Sequence, residues 1–66
     1  MSGWISVTDY SYGVQIHVSV DHIQAVYPQE MEDGGTSTVI DMITGSLEVR
    51  QEPEKVMMAI RAARRA

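Results

Sequence analysis

Val14-Gln15-Ile16-His17-Val18-Ser19-Val20 alternates apolar and polar residues over seven positions without a break. Side chains of an extended strand point to opposite faces in turn. Val14, Ile16, Val18 and Val20 therefore share one face, and Gln15, His17 and Ser19 the other. A helix with this spacing would scatter its apolar residues around the whole circumference. The stretch predicts a strand with one buried and one wet face, as in antiparallel sheets.

The flanks repeat the pattern. Trp4 to Thr8 predicts a first strand, with Ile5 and Val7 on one side and Trp4, Ser6 and Thr8 on the other. Asp9 to Gly13 is turn chemistry, Gly13 being free to take positive φ. If the two strands pair, Trp4, Ser6 and Thr8 share an outer face with Gln15, His17 and Ser19. Asp21-His22 predicts a short turn, and Ile23 to Tyr27 a third strand that Pro28 stops, since proline cannot donate to a ladder. Asp33-Gly34-Gly35 reads as a hairpin loop. It lacks the Gly-Lys-Ser/Thr ending of a phosphate loop. Thr36 to Thr44 predicts a fourth strand broken by Gly45, and Ser46 to Gln51 a fifth, with Leu47 and Val49 inward.

The period then changes. Val56, Ile60 and Ala63 fall at i, i+4 and i+7, which sets one apolar stripe on a helix over Pro53–Arg65. Pro53 suits a first helical position. Gln51 and Glu52 are poor caps, so packing should hold this helix more than capping does. The expected fold is α+β, a small bent antiparallel sheet of four to five strands with one C-terminal helix packed on it. All 66 residues form a single domain in this reading.

Composition narrows the function. Hydrophobic residues are 44% of the chain, ordinary for a folded protein, and no cysteine is present to form a disulfide or bind zinc. Apolar runs are too short to span a membrane, so no membrane insertion is expected. Met1-Ser2-Gly3-Trp4 has neither a basic start nor an apolar segment, and the expected location is cytoplasmic. A chain of 66 residues without staples makes a marginal core, so a homo-oligomer is expected. Met31, Met42, Met57 and Met58 suit gap-filling or interface positions.

Charge is segregated. Net charge is −4 overall, but residues 1–49 hold seven acids and no Lys or Arg, while 50–66 carry +3. The acidic total makes nucleic acid an unlikely partner. The basic tail admits two readings. It complements its own helix dipole and the acidic body, or its arginines hold an anion.

No catalytic constellation stands out. There is no Gly-x-Ser-x-Gly elbow. Asp21-His22 would point its side chains apart on a strand. His17 and His22 lack the spacing and companions of a metal site, so no metal and no cofactor are expected. The aromatic set Trp4, Tyr10, Tyr12 and Tyr27 would close a core edge or subunit contact, or would stack on a planar ligand. In the second case Arg50, Arg61 and Arg65 would hold its phosphates, and His17 would be a further ligand contact.

From Trp4 to Ile60 the order of elements resembles the small FlbD/SwrD-like flagellar proteins and similar short proteins of phage genomes. The pattern is carried by Trp4-Ile5-Ser6-Val7-Thr8, Ile16-His17-Val18, Ile23-Gln24-Ala25-Val26, a Thr-rich strand ending at Gly45, Leu47-Glu48-Val49 and Glu52-Pro53-Glu54-Lys55-Val56. This chain has Tyr12-Gly13 where those chains have an Asn-Gly turn. It has Val20-Asp21-His22 where they place an Asn before the third strand. The resemblance implies a β-rich, non-enzymatic adaptor and transfers no catalytic residue. The expectation is thus a small interaction protein acting as a homo-oligomer through a protein partner. The alternative is an oligomeric binder of a small anionic ligand, in the manner of a phage protein that sequesters a nucleotide signal.

Overall fold

The computed structural model describes residues 3–65. Strands β1 (Trp4–Thr8) and β2 (Gln15–Ser19) form a hairpin. A 3-10 turn at Val20–His22 leads into β3 (Ile23–Glu30), β4 (Thr36–Met42), β5 (Gly45–Val49) and helix α1 (Pro53–Arg65). The class is α+β, and every strand pair is antiparallel. The single bent sheet is corrected to two sheets, β1-β2 and β3-β4-β5. They meet at one bridge, Asp9 with Val49. Beside it the Tyr10 N–H donates to Glu48 O at 2.9 Å and the Arg50 N–H to Thr8 O at 2.9 Å. The sheets diverge from there because their inner faces wrap a common core rather than continue one plane.

That core collects the alternating apolar residues. Ile5 and Val7 of β1, Val18 and Val20, Ile40 and Val49, and Val56 and Ile60 of α1 form one buried cluster. The helix lies on β1, β3 and the 3-10 turn. Its Val56–Ile60–Ala63 stripe faces inward, as the period requires. The fit is close at the start of β1, where a Cβ on Gly3 would stand 3.3 Å from the Ala63 Cβ. The Val56 N–H donates to the Glu52 carbonyl at 3.0 Å and opens the helical ladder.

Four strands differ in their bounds from expectation, the second being trimmed to Gln15–Ser19 with Val20 in the 3-10 turn. Pro28 does not stop β3, which continues to Glu30 with Pro28 opposite Thr38. The ladder explains this. The Met31 N–H donates to Gly35 O at 2.8 Å. In the same register Gln29 and Tyr27 also turn their backbone groups to β4, so Pro28 turns its nitrogen to the free edge. No ladder bond is lost there. Strand β4 ends at Met42 rather than Thr44, leaving Ile43 in the turn at 65% exposure. Strand β5 begins at Gly45 and ends at Val49, because Gln51 leaves the ladder to serve the seam between the sheets.

Gln51 forms the seam's polar half. Its Oε1 accepts the Thr8 N–H at 2.8 Å, and its Nε2 donates to Thr8 Oγ1 at 3.0 Å. Its backbone carbonyl accepts the buried Thr38 hydroxyl. One side-chain amide thus takes the part of an absent strand at the end of β1.

Candidate functional site

The outer face of the β1–β2 hairpin is built as the alternation required. The register pairs Trp4 with Ser19, Ser6 with His17 and Thr8 with Gln15. Directly opposed residues of an antiparallel pair point to the same side, so these six share one face. Trp4 is 67% exposed there. His17 is exposed too, with its Nδ1 hydrogen-bonded to Ser6 Oγ at 3.0 Å. The face is polar around the single aromatic side chain of Trp4, and it carries no carboxylate or ammonium group.

A second feature lies where the β1–β2 turn folds against the β3–β4 loop. The Tyr10 hydroxyl donates to Asp33, 3.1 Å from each carboxylate oxygen. Asp33 Oδ1 also accepts the Gly35 N–H at 2.8 Å. The phenol passes directly over Gly35, where an added Cβ would lie 2.3 Å from the Tyr10 oxygen. Arg50 Nε donates to the Tyr10 carbonyl at 3.0 Å. The Arg50 guanidinium runs beside Gly13, whose φ of 70° is a left-handed conformation that glycine accepts at little cost. The Asp9 carboxylate accepts the Tyr12 N–H at 2.8 Å and tightens the same turn. Removal from water, then the bond to Asp33 and its charge, push the Tyr10 phenol above its usual value of 10.0, with Arg50 pulling the other way.

These residues border an open groove of about 830 Å³. Glu30, Glu32, Asp33 and Glu48 line it against Arg50 as the only cation on its walls. Its field is negative, the wrong sign for a phosphate. Its central polar groups Tyr10, Asp33 and Arg50 are engaged within the two turns, while the carboxylates of Glu30, Glu32 and Glu48 line its walls.

The other predicted site residues lie elsewhere. Tyr12 is 85% exposed at the tip of the β1–β2 turn. Tyr27 is exposed on the outer face of the three-stranded sheet, opposite the buried Val39. Arg61 and Arg65 lie on the outer surface of α1, where they border a concavity with Met58 and Ala62. Trp4 opens β1, and Tyr10 lies in the turn beyond its far end, after Thr8. One chain therefore brings Tyr10 to Arg50 and His17 to the face of Trp4, and it unites no aromatic stack with Arg61 or Arg65. Among the described residues no group of three or more His, Cys, Asp or Glu is arranged to hold a metal ion. No described helix is long and apolar enough to cross a membrane.

Gln51, Asp33 and Gly35 were not singled out by sequence as partners of Thr8 and Tyr10. Their contacts span 43, 23 and 25 positions of the chain, and nothing local announces them.

The fold and these two features define a small α+β chain with an exposed tryptophan on the outer face of its hairpin and an acidic groove beside Arg50. No family model, no curated protein and no solved structure matches it.

Proposed function

We propose that this chain is a non-enzymatic interaction protein, an adaptor that works as a homo-oligomer and offers the outer face of its β1–β2 hairpin to a protein partner. The observation that carries the reading is Trp4, 67% exposed on that face beside the Ser6–His17 pair. Burying a tryptophan contributes more than burying almost any other side chain, and tryptophan is enriched where proteins meet. Leaving the only tryptophan in water makes physical sense where a second protein covers it. The mutual engagement of Tyr10, Asp33 and Arg50 supports a non-catalytic role.

The second reading, an oligomer that binds a small phosphorylated ligand, draws on Arg61 and Arg65 beside Met58. It requires the helix of one copy to meet the Trp4 face of another.

A photoreactive residue placed at Trp4 or His17 tests the first reading, with Glu54 on the helix as a control position. The expected result is one protein captured from positions 4 and 17 and not from 54. That protein, once purified, should bind the Trp4→Ala chain about tenfold more weakly or worse. Capture without discrimination, or binding indifferent to Trp4→Ala, contradicts the reading.

A further inference from the structure

The outer edges of β2 and β3 differ in a way that their backbone geometry makes specific. In the hairpin, the Asp9 N–H donates to Val14 O at 2.8 Å and the Val20 N–H to Gly3 O at 3.1 Å. These bonds fix the alternation along the register between them. Val14, Ile16, Val18 and Val20 turn their backbone groups to β1, and Gln15, His17 and Ser19 turn theirs outward. Among the described residues no strand pairs on that outer side. It presents three N–H groups and the C=O groups of Gln15 and His17, while the Ser19 C=O accepts the first bond of the 3-10 turn.

The outer edge of β3 carries the devices that discourage strand addition. Pro28 removes the donor at its centre, Glu30 adds a charge, and the register slips between Ile23 and Ala25. Strand β2 carries no proline, no glycine, no acid and no Lys or Arg. Its residues are also arranged to suit themselves. Placed antiparallel about a two-fold axis at His17, β2 sets Ile16 of one copy opposite Val18 of the other on the core side. On the outer side Gln15 faces Ser19, and His17 faces its equivalent. Apolar meets apolar and polar meets polar at every position, with no like charges opposed. All three outward residues then fall in hydrogen-bonded pairs.

We propose that β2 is the edge through which two copies of this chain associate, antiparallel and centred on His17, giving a continuous four-stranded sheet β1-β2-β2-β1. This rests on the homo-oligomer reading above and names its interface. Ile16, half-buried in the single chain, gains cover from the second copy's Val18. The two Trp4 faces become one surface, so a partner would meet the assembled pair and not a lone hairpin.

Amide hydrogen exchange of the full chain, followed across a range of concentrations, tests this together with sedimentation. The Gln15, His17 and Ser19 amides should slow by about tenfold or more as the chain is concentrated, while Val26 and Glu30 on the β3 edge stay fast. His17→Pro places its nitrogen on the outer side, as Pro28 does in β3, and leaves every β1–β2 ladder bond in place. It should sediment as a folded monomer. His17→Lys, which brings like charges together at the axis, should weaken association in the same direction should the proline variant not fold. An oligomer whose three edge amides ignore concentration overturns the β2 interface and leaves the homo-oligomer reading standing. A wild-type chain that is monomeric throughout overturns both.

Discussion

The side-chain amide of Gln51 grips Thr8 twice, accepting its N–H at 2.8 Å and donating to its hydroxyl at 3.0 Å. Beside the shared apolar core, this grip adds to the Asp9–Val49 bridge and its two flanking backbone bonds in tying the hairpin to the end of β5. Gln51→Ala leaves the Thr8 N–H unpaired in a partly buried position. The expected loss is about 1–3 kcal/mol, measured by urea unfolding. Gln51→Glu keeps the acceptor for the Thr8 N–H and should lose less.

Gly35 matters for what passes over it. A methyl group there would stand 2.3 Å from the Tyr10 oxygen, so the phenol must leave Asp33 to make room. Gly35→Ala should therefore destabilise the wild-type chain by about 1 kcal/mol, the size of one hydrogen bond. In a Tyr10→Ala background the same change should cost nearly nothing. A double-mutant cycle reads the difference as coupling; equal costs in both backgrounds would mean that the clash does not govern the site.

The Tyr10 phenol titrates above 10.0 in the folded chain because partial burial and the Asp33 bond favour its neutral form. A raised native pKa for a group that ionises to an anion adds stability that is complete below the unfolded value. That stability is lost as pH rises through the native one. The chain should lose stability above about pH 10, and Tyr10→Phe should flatten that part of the profile. Phenolate absorbance during alkaline titration checks it, since Tyr10→Phe should remove a component titrating above pH 10.0.

Arg61 and Arg65 project from α1 on the side away from the core stripe of Val56 and Ile60. Changing both to alanine should shift stability by no more than about 0.5 kcal/mol each and should leave association through β2 intact. No nucleotide should raise the melting temperature of either form. A nucleotide-specific shift that disappears in the double variant would support the phosphorylated-ligand reading instead.

Much of this arrangement was legible because it is periodic. Trp4–Thr8 and the helix Pro53–Arg65 lie where the spacing placed them, and the sharing of one face by Trp4, Ser6, His17 and Gln15 followed from alternation once the strands were paired. Pro28 misled because a proline's effect depends on which way its nitrogen points, and that depends on the register with β4. The division into two sheets was hidden for a related reason. It turns on Gln51 leaving the ladder to bond Thr8 across the chain. Tyr10 was noticed as an aromatic and not as a clasp, since its partners Asp33 and Gly35 read locally as a turn. Arg50 carried the right charge for a phosphate, and Glu48 stands two positions before it, but Glu30 and Glu32 become its neighbours only on folding.

Native mass spectrometry of the gently purified full chain addresses the central claim most directly. The account predicts a homo-oligomer built from pairs, its mass a whole multiple of the chain with no small molecule retained. A monomer at every concentration would contradict it, as would an oligomer that carries a bound nucleotide.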